Sequence, residues 1–457
     1  MSADMVQVTE QFEAALQVVR ELRAAGYEAY LAGGCVRDLL LGREPKDYDV
    51  ATSATPEVVL GLFSRTFAVG AHFGVVLVAD GDEEGYVSTE VATYRSDGAY
   101  SDGRHPDAVR YTLSAEEDVQ RRDFTINGLL LDPLQQGNDL RSAVIDYVGG
   151  VADLDAGVVR AIGRAEERFE EDRLRMIRGV RFAARFGFEL EAGTKAAMRR
   201  LAGRISAVSR ERVRDELTKM LTEGHARRAF ELLDETGLLA EVLPEVARMK
   251  GVEQPAQFHP EGDVWVHTLG LLGQLEAGCS PTLAWGALLH DVGKPPTFRR
   301  APDRIRFDGH VEVGVAMGAE ICRRFRFSNE ETGQILALIE NHMRFADAGR
   351  MKASTLKRFF RLQGFEEHLA LHRMDCLAGG GNLDHWEFVR EQWLAMPEEV
   401  VRPKPLITGR ELIAAGYAPG AGFKEMLRAV EDAQLEGTIA TAEEALQLVR
   451  DRFPPLA

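Results

Sequence analysis

The chain has few cysteines for its length and no long apolar run. Its 457 residues include four cysteines, Cys35, Cys279, Cys322 and Cys376, and no two of them form a C-x-x-C pair. This spacing argues against a disulfide framework or a zinc knuckle, and it fits a reducing cytosol. No run reaches about 18 apolar residues, so we expect no membrane span.

A secretory leader is also missing from the sequence pattern. The first 26 residues, MSADMVQVTEQFEAALQVVRELRAAG, have neither a basic start nor an unbroken apolar core. The pattern predicts an amphipathic helix instead, and we therefore expect a cytoplasmic protein.

Acidic residues outnumber basic ones in the whole chain, but not in every part of it. The formal net charge is −17, yet residues 121–230 contain 21 Lys and Arg against 17 Asp and Glu. An acidic protein is a poor general binder of nucleic acid. A locally basic middle nevertheless favours a phosphate-bearing partner at that place.

Strand-like and helix-like patterns separate along the chain. Apolar, β-rich runs such as FGVVLVAD and GYVSTEVATYR lie in the first 150 residues, and helical periodicity continues beyond residue 160. Breaks rich in Pro and Gly interrupt the helical part at 249–263 and 396–409. We therefore predict an α+β architecture with a mixed head at 1–150 followed by helical segments at 151–250, 251–395 and 396–457.

A glycine turn stands near the start of the head, in LAGGCVRDLLLGREPKDYDVAT. A predicted strand runs into Gly33 and Gly34, and a helix follows. Such a turn lets backbone N–H groups approach a phosphate at a helix N-terminus, and Arg37 is placed to add a charge. A Gly-Gly pair is just as often a simple turn.

Two aspartates follow this turn. Asp47 and Asp49 alternate on a predicted strand, so both carboxylates face one side of it. Because like charges repel, a cation between them is the simplest explanation, and Mg²⁺ bound with substrate phosphates fits. Glu90 is a candidate third carboxylate on another strand. A polar strand edge without a metal is the alternative.

Arginines cluster in EDRLRMIRGVRFAARFGF, residues 171–188, for which the apolar spacing predicts one continuous helix. Asp172, Arg175 and Arg178 follow at intervals of three and would form one polar row. The row could be a solvated face held by ion pairs worth a few tenths of a kcal/mol each. It could also be a binding surface.

Histidines and aspartates recur between residues 267 and 375. Imidazoles with carboxylates at this dispersion suit a divalent transition metal held by several helices. The candidate ligands are His267, His290, Asp291, His310, His342 and Asp375. Ordinary buried polar groups are the alternative.

The ordered motifs resemble a known family. G-G-x-V-R-D, D-x-D, RRDFTINGLLLDP, EDRLRMIRGVRFAARFGF and SRERVRDEL occur in that order. They are similar to the class II nucleotidyltransferases of the DNA polymerase β superfamily, which include bacterial tRNA CCA-adding enzymes and poly(A) polymerases. The resemblance implies a DNA polymerase β-like head, a helical neck, an HD domain and a helical tail.

The resemblance also implies roles in the head and neck. Asp47, Asp49 and Glu90 would be catalytic, with Mg²⁺ on the two aspartates. Asp172 and Arg175 would read the edge of the incoming base, accepting C or A, with Arg178 in support. The further nucleotide-binding residues that the resemblance implies are Gly33, Gly34, Arg37, Arg122, Asp123 and Asn127. Asp123 and Asn127 are expected at the start of a helix.

The histidine block resembles the HD-type metal-dependent phosphohydrolases, through the adjacent His290-Asp291 pair followed by V-G-K-P. The resemblance implies a Ni²⁺, Mn²⁺ or Co²⁺ site made by His267, His290, Asp291 and Asp375. His310 and His342 would hold a second ion or the scissile phosphate. Such a domain would remove terminal phosphates or open 2′,3′-cyclic phosphates on RNA ends.

The function that these resemblances imply is template-independent addition of CCA to tRNA 3′ ends from CTP and ATP, with neither DNA nor a membrane as a partner. Addition of A alone and poly(A) synthesis stay open. A different class, an HD phosphohydrolase with an RNA-binding head, also stays open. Residues 95–111 are polar, with two glycines and a proline, and are expected to form a flexible loop, which the resemblance implies favours addition of A.

Overall fold

The computed structural model describes residues 9–68, 74–81, 86–97, 109–135, 139–257 and 259–454. The chain divides into two units, Met1–Pro244 and Glu245–Ala457. The first unit mixes strands and helices and the second is almost wholly helical, which confirms the α+β expectation.

The first unit begins with the mixed part of the fold. Its elements there are α1 (Glu10–Ala24), β1 (Ala29–Ala32), α2 (Gly34–Leu40), β2 (Asp49–Thr52), α3 (Pro56–Leu62), β3 (Thr66–Phe67), β4 (Val75–Gly81), β5 (Tyr86–Thr93), β6 (Arg95–Asp97), β7 (Val109–Tyr111), α4 (Ala115–Gln120), β8 (Leu129–Leu131), β9 (Val144–Asp146), α5 (Gly150–Ala156) and β10 (Val158–Val159). A helical part follows, with α6 (Ala165–Glu171), α7 (Leu174–Phe186), β11 (Glu189–Leu190), α8 (Ala192–Leu201), α9 (Arg210–Thr222), α10 (Ala226–Glu235) and α11 (Leu238–Val242).

A seven-stranded sheet carries the head, in the order β3-β4-β5-β2-β1-β8-β9. Its only parallel pair among the described strands is β2 with β5, which sets Asp49 opposite Glu90. Fully buried apolar side chains such as Leu31, Val50 and Leu129 form the core beneath it. The sheet therefore brings two acidic positions, 41 residues apart in sequence, to the same level.

The glycine turn between β1 and α2 has the expected form. Gly33 has φ +75°, a left-handed conformation that side-chain-bearing residues rarely adopt. A Cβ there would also lie 3.0 Å from Nη1 of Arg122. The turn thus brings the backbone close to an arginine and starts α2 directly behind it.

The prediction of a single helix over residues 171–188 is wrong. The chain forms α6 up to Glu171 and restarts as α7 at Leu174. Asp172 is extended, with φ −137° and ψ 105°, and its Oδ1 accepts the Leu174 N–H at 3.1 Å. Asp side chains compete with helical hydrogen bonds in this way, so the break is local in origin.

Two further expectations about backbone structure need correction. Asp123 and Asn127 do not begin an α-helix, because Thr125–Asn127 is a single 3-10 turn. The ends of the expected loop at 95–111 are strands, since β6 pairs with β7. Residues 98–108 lie outside the described residues, so that part of the loop stays a prediction.

The second unit is built from helices. Counting α12 (Pro244–Ala247) at the boundary, its elements are α13 (Val264–Leu272), α14 (Pro281–Leu289), α15 (Lys294–Thr297), β12 (Arg299–Arg300), β13 (Ile305–Arg306), α16 (His310–Phe325), α17 (Asn329–Asn341), α18 (Ala353–Phe360), α19 (Phe365–Ala378), α20 (Asp384–Ala395), α21 (Glu398–Val401), α22 (Gly409–Ala414), α23 (Gly422–Glu436) and α24 (Ala442–Arg452). Within the described ranges, every helix is too short or too polar to cross a membrane.

A close backbone approach positions the histidine block. At Gly293, a Cβ would overlap the carbonyl oxygen of His310 and lie 2.6 Å from the backbone nitrogen of Gly314. Glycine at this point lets the start of α16 lie against the turn after α14. His310 therefore comes beside His290 and Asp291, which directly follow α14.

Candidate functional site

A polar cavity of about 590 Å³ opens in the first unit. Most of the side chains that line it are charged, and both signs are present. The lining residues are Gly33, Gly34, Arg37, Asp47, Asp49, Arg121, Arg122, Asp123, Asn127, Asp172, Leu174, Arg175, Arg178, Arg181, Phe182, Arg185 and Arg212.

One wall of the cavity is acidic. Asp49 opens β2, Asp47 precedes it by two residues, and Glu90 stands opposite Asp49 on β5. Burial, together with the charges of Glu90 and Asp47, raises the pKa of Asp49 to about 7. Carboxylates held this close fit a hard divalent cation, which would remove their mutual repulsion.

Another part of the lining, the basic wall, is built around Arg37 and rests on two aromatic rings. Arg37 is buried, and its Nη1 donates to Oδ1 of Asn127 at 2.5 Å. Its guanidinium lies 4.6 Å from the ring centre of Phe186 and 5.4 Å from that of Phe182. Cation–π contacts of this kind hold a guanidinium without neutralising it. Arg37 is also paired with Asp38, whose Oδ1 lies 2.8 Å from its Nη2, so its charge is partly compensated before any anion binds.

Asp123 links Asn127 to α7. Arg178 donates to its Oδ2 at 2.8 Å, and Nδ2 of Asn127 donates to its Oδ1 at 3.1 Å. Burial would raise the pKa of Asp123, but Arg178 and Asn127 outweigh it and hold the pKa below its ordinary value. Asp123 is therefore an anion that fixes the other two side chains.

Asp172 and Arg175 both line the cavity, but they are held by different partners. Arg212 on α9 donates to Oδ2 of Asp172 at 2.8 Å. Arg175 Nη1 donates to Oε2 of Glu171 at 2.7 Å, and its Nη2 donates to the Arg121 carbonyl at 3.0 Å. Each side chain is thus held by hydrogen-bond partners of its own. The two line the same cavity although Asp172 lies outside helix α7.

Eleven of the twelve candidate residues of the head and neck line this cavity. The twelfth, Glu90, stands opposite Asp49 on the neighbouring strand. Sequence reasoning missed Phe182 as a lining residue, since a ring at helical spacing predicts only a core position. The partnership of Asp172 with Arg212 was also missed, because the two lie 40 residues apart.

The second unit gathers the histidines of the predicted HD site. Four buried atoms there have no hydrogen-bond partner within the described part of the chain: Nε2 of His290, His310 and His342, and Oδ1 of Asp291. The Nε2 atoms of His310 and His342 lie 3.9 and 3.7 Å from that oxygen. Leaving several buried polar atoms unpaired is costly, so this donor set fits a divalent metal.

The backbone fixes the tautomer of these three imidazoles. Nδ1 lies 2.9 Å from the Ala287 carbonyl in His290, 3.0 Å from Phe307 O in His310 and 2.7 Å from Ile339 O in His342. A carbonyl only accepts, so each Nδ1 carries the proton and each Nε2 presents a lone pair. Burial also lowers the pKa of His342 to about 4, which keeps that ring neutral.

His267 completes the group from α13. Its Nε2 lies 2.9 Å from Oδ1 of Asp375, and His267, His290 and Asp375 have ligand atoms within 4.8 Å of one another. Asp291, His310 and His342 form a second set of the same size. All six predicted positions thus meet, in two adjacent groups.

Two neighbours of His267 were missed from the sequence. Glu261 Oε1 lies 2.7 Å from Nδ1 of His267 and 2.9 Å from Nδ1 of His259. Although burial lowers the pKa of His267, its contacts with Asp375 and Glu261 outweigh it and raise the pKa to about 9. The segment HPEGDVWVH carried the signal, with two histidines and a glutamate within nine residues.

Three family models match the chain. Residues 29–160 match the poly A polymerase head domain, and residues 187–250 match the probable RNA and SrmB-binding site of polymerase A. Residues 265–373 match the HD domain. His259 and Glu261 precede this last match.

Known proteins with similar chains are CCA-adding enzymes. That of Geobacillus kaustophilus is 32% identical over 440 residues, which cover 95% of each chain. That of Lactobacillus johnsonii is 43% identical over 233 residues, 51% of this chain and 56% of its own. The crystal structure of the Bacillus stearothermophilus CCA-adding enzyme in complex with CTP is 28% identical, with a TM-score of 0.71 over 97% of this chain and 98% of its own.

Proposed function

This chain belongs to the family of CCA-adding enzymes, and we propose from that membership that it builds or repairs the CCA end of tRNA from CTP and ATP. The observation that carries the proposal is the head cavity of about 590 Å³, whose lining contains both an acidic and a basic wall. The relatives named above do not favour addition of A alone or poly(A) synthesis.

The acidic wall is proposed as the metal-binding side. Asp47, Asp49 and Glu90 would hold divalent cations, for which Mg²⁺ suits the all-oxygen donor set. When bound, Mg²⁺ neutralises the triphosphate and favours attack of the tRNA 3′-hydroxyl on the α-phosphate, with pyrophosphate as leaving group. This acidic wall also disfavours an HD phosphohydrolase whose head only binds RNA.

The basic wall is proposed to hold the triphosphate and the sugar. Gly33 and Gly34 line the cavity where α2 begins, and Arg37 and Arg122 add charge beside them. The Asn127 amide, held between Arg37 and Asp123, suits a ribose hydroxyl. These contacts fix the α-phosphate relative to the carboxylates.

Base selection is proposed for Asp172 and Arg175. A carboxylate accepts from the exocyclic amine of C or A, and a guanidinium donates to ring nitrogen or carbonyl acceptors. Both side chains line the cavity and are held by hydrogen bonds to Arg212 and Glu171. A wrong base would have to break these bonds to move them. Arg178 supports this pocket through Asp123.

Nucleotide mapping tests the proposal. Purified protein is incubated with Mg²⁺, CTP and ATP and with tRNA transcripts that end at the discriminator base, after the first C, or after both. We expect the addition of CCA, CA and A, respectively, and almost none on an unstructured RNA. Addition of A alone to every transcript, or a long A tail, would contradict it.

A second activity is proposed for the HD site, because four buried ligand atoms converge there without partners in the described chain. The residues that would hold the ions are those of the two adjacent groups, around His267 and around Asp291. A set of imidazoles and carboxylates suits Ni²⁺, Mn²⁺ or Co²⁺, which when bound would supply a hydroxide nucleophile near neutral pH.

The substrate we propose for this site is a phosphate at an RNA 3′ end. The assay is a tRNA transcript ending in a 2′,3′-cyclic phosphate, scored for ring opening with each metal in turn. No opening with Mg²⁺, Mn²⁺, Ni²⁺ or Co²⁺ would leave the histidines with a structural role.

A further inference from the structure

His267 differs from the other three imidazoles of the HD site in the group that its Nδ1 contacts. His290, His310 and His342 use backbone carbonyls, whereas Nδ1 of His267 faces the carboxylate of Glu261 at 2.7 Å. His267 is fully buried, and its Nε2 points to Asp375. The orientation of this ring therefore depends on a side chain that can be replaced.

Glu261 lies before the segment that matches the HD domain, which begins at residue 265. Its side chain is 16% exposed. Its Oε1 lies within hydrogen-bond distance of Nδ1 of both His259 and His267. Its Oε2 is buried without a hydrogen-bond partner in the described residues. A carboxylate with one buried, unpaired oxygen is costly, so fold stability alone does not explain its place.

We propose that Glu261 is a positioning residue for the HD metal, acting through His267. The inference rests on the metal site put forward under the proposed function. In the structure Nε2 of His267 donates to Asp375 Oδ1 at 2.9 Å, so this nitrogen gives up its proton when it binds an ion. Glu261 keeps the remaining proton on Nδ1, so that Nε2 is the nitrogen left to coordinate beside Asp375 and His290. A carboxylate in this place also makes the imidazole a stronger donor than a carbonyl does.

His259 is the competing explanation. Its ring lies edge-on to that of His267, with centroids 4.8 Å apart, and its Nδ1 is 2.9 Å from the same Glu261 oxygen. If His259 were itself a ligand, Glu261 would act through it rather than through His267. Replacing each residue separately distinguishes the two cases.

The test measures metal affinity in the full chain. Ni²⁺ is titrated calorimetrically into protein that carries Asp47→Ala, so that binding in the head does not contribute. Glu261→Gln keeps the shape of the side chain and removes its charge, and we expect about a 10- to 100-fold weaker Ni²⁺ affinity. Glu253→Gln, which removes an exposed carboxylate of the same segment, is the matched control and should stay within about twofold of the parent.

Each outcome is decisive. Equal Ni²⁺ affinity in the parent and in Glu261→Gln would overturn the inference and leave the metal site standing. A loss in His259→Ala as large as that in Glu261→Gln would overturn it as well, because His259 would then be the ligand. If the parent binds Ni²⁺, Mn²⁺ and Co²⁺ no better than His290→Ala does, the metal site itself fails. Nucleotide addition is measured for Glu261→Gln and for His259→Ala, each in a protein that keeps Asp47. It checks that these variants are folded.

Discussion

Arg212 on α9 donates to the carboxylate of Asp172, which lies in the two-residue break between α6 and α7. This 2.8 Å contact joins an element 40 residues away to a side chain that we propose reads the base. The carboxylate is held at Oδ1 by the backbone of Leu174 and at Oδ2 by Arg212. Its direction in the cavity therefore depends on both.

Base discrimination should weaken in Arg212→Gln, because Asp172 loses one of its two anchors. We expect the ratio of kcat/KM for CTP to that for UTP to fall, by less than the roughly 10- to 100-fold expected for Asp172→Ala. Arg214→Gln, on the same helix and paired with Asp215, is the control and should keep the parent ratio. A uniform loss for all four nucleotides would mean that Arg212 only supports the fold.

Asp49→Asn should abolish addition while the protein stays folded. Loss of a metal-binding carboxylate removes several kcal/mol of transition-state stabilisation, about 10³-fold in rate. Because burial and the charges of Glu90 and Asp47 disfavour the charged form of Asp49, the variant should also unfold at a higher temperature in metal-free buffer. Single-turnover incorporation and thermal unfolding measure the two effects, and Glu44→Gln, an exposed carboxylate nearby, should change neither. Normal incorporation by Asp49→Asn would refute the assignment.

Phe186→Leu should raise the KM for CTP and ATP with little change in kcat. The ring of Phe186 holds the guanidinium of Arg37, and a cation–π contact contributes about 0.5–2 kcal/mol, or roughly 2- to 30-fold in affinity. Phosphate contacts made in ground and transition state alike affect KM rather than kcat. Phe186→Tyr keeps the aromatic face and should restore the KM, and Phe188→Leu tests a neighbouring ring. A fall in kcat alone would exclude this role.

Stability should depend on a buried ion pair behind the arginine row. Arg181 Nε donates to Oε2 of Glu216 at 2.7 Å, and both side chains are less than 10% exposed. Removing one partner leaves a buried charge, so Glu216→Gln should cost about 3–5 kcal/mol at pH 7. The control, Asp215→Asn, removes an exposed carboxylate on the same helix and should cost less than about 1 kcal/mol. Chemical unfolding of each variant measures the free energies.

The same pair gives a pH dependence of known sign. Burial raises the pKa of Glu216, but Arg181 and Arg178 outweigh it, so the folded pKa lies below the ordinary value of 4.5. The pair therefore stabilises the fold fully above about that pH and loses its contribution as the pH falls through the folded pKa. The difference between parent and Glu216→Gln should shrink in acid. A difference that grows in acid would contradict the pairing.

Asp291→Ala should remove HD activity and leave nucleotide addition within about twofold, because the two sites draw on different units. The measurement is opening of a 2′,3′-cyclic phosphate beside addition to a tRNA with a free 3′-hydroxyl. Asp303→Asn, an exposed carboxylate paired with Arg306, is the control. Loss of addition in folded Asp291→Ala would show that the sites are not separable.

Local patterns in the sequence were enough to predict the glycine turn and the candidate histidines. The strand expected to carry both Asp47 and Asp49 begins only at Asp49, so strand alternation does not place Asp47, although both residues line the cavity. The break at Asp172 was not predictable from apolar spacing, because a single side-chain hydrogen bond to Leu174 interrupts an otherwise helical pattern. The contact between Arg212 and Asp172 was missed for another reason: it is fixed by packing between elements, which no spacing reveals. His259 and Glu261 were missed although the segment HPEGDVWVH carried the signal.

The packing at Gly293 bears on how loss-of-function variants of this chain should be interpreted. Any side chain at that position would collide with the start of α16, so a survey of random variants should find every substitution there as damaging as loss of His290 or Asp291. Such a result would have a steric cause, because glycine brings no chemical group to the site. Damage at residue 293 therefore measures how closely two pieces of main chain must approach, and a second change that shifts α16 outward could rescue it where none could replace a missing ligand.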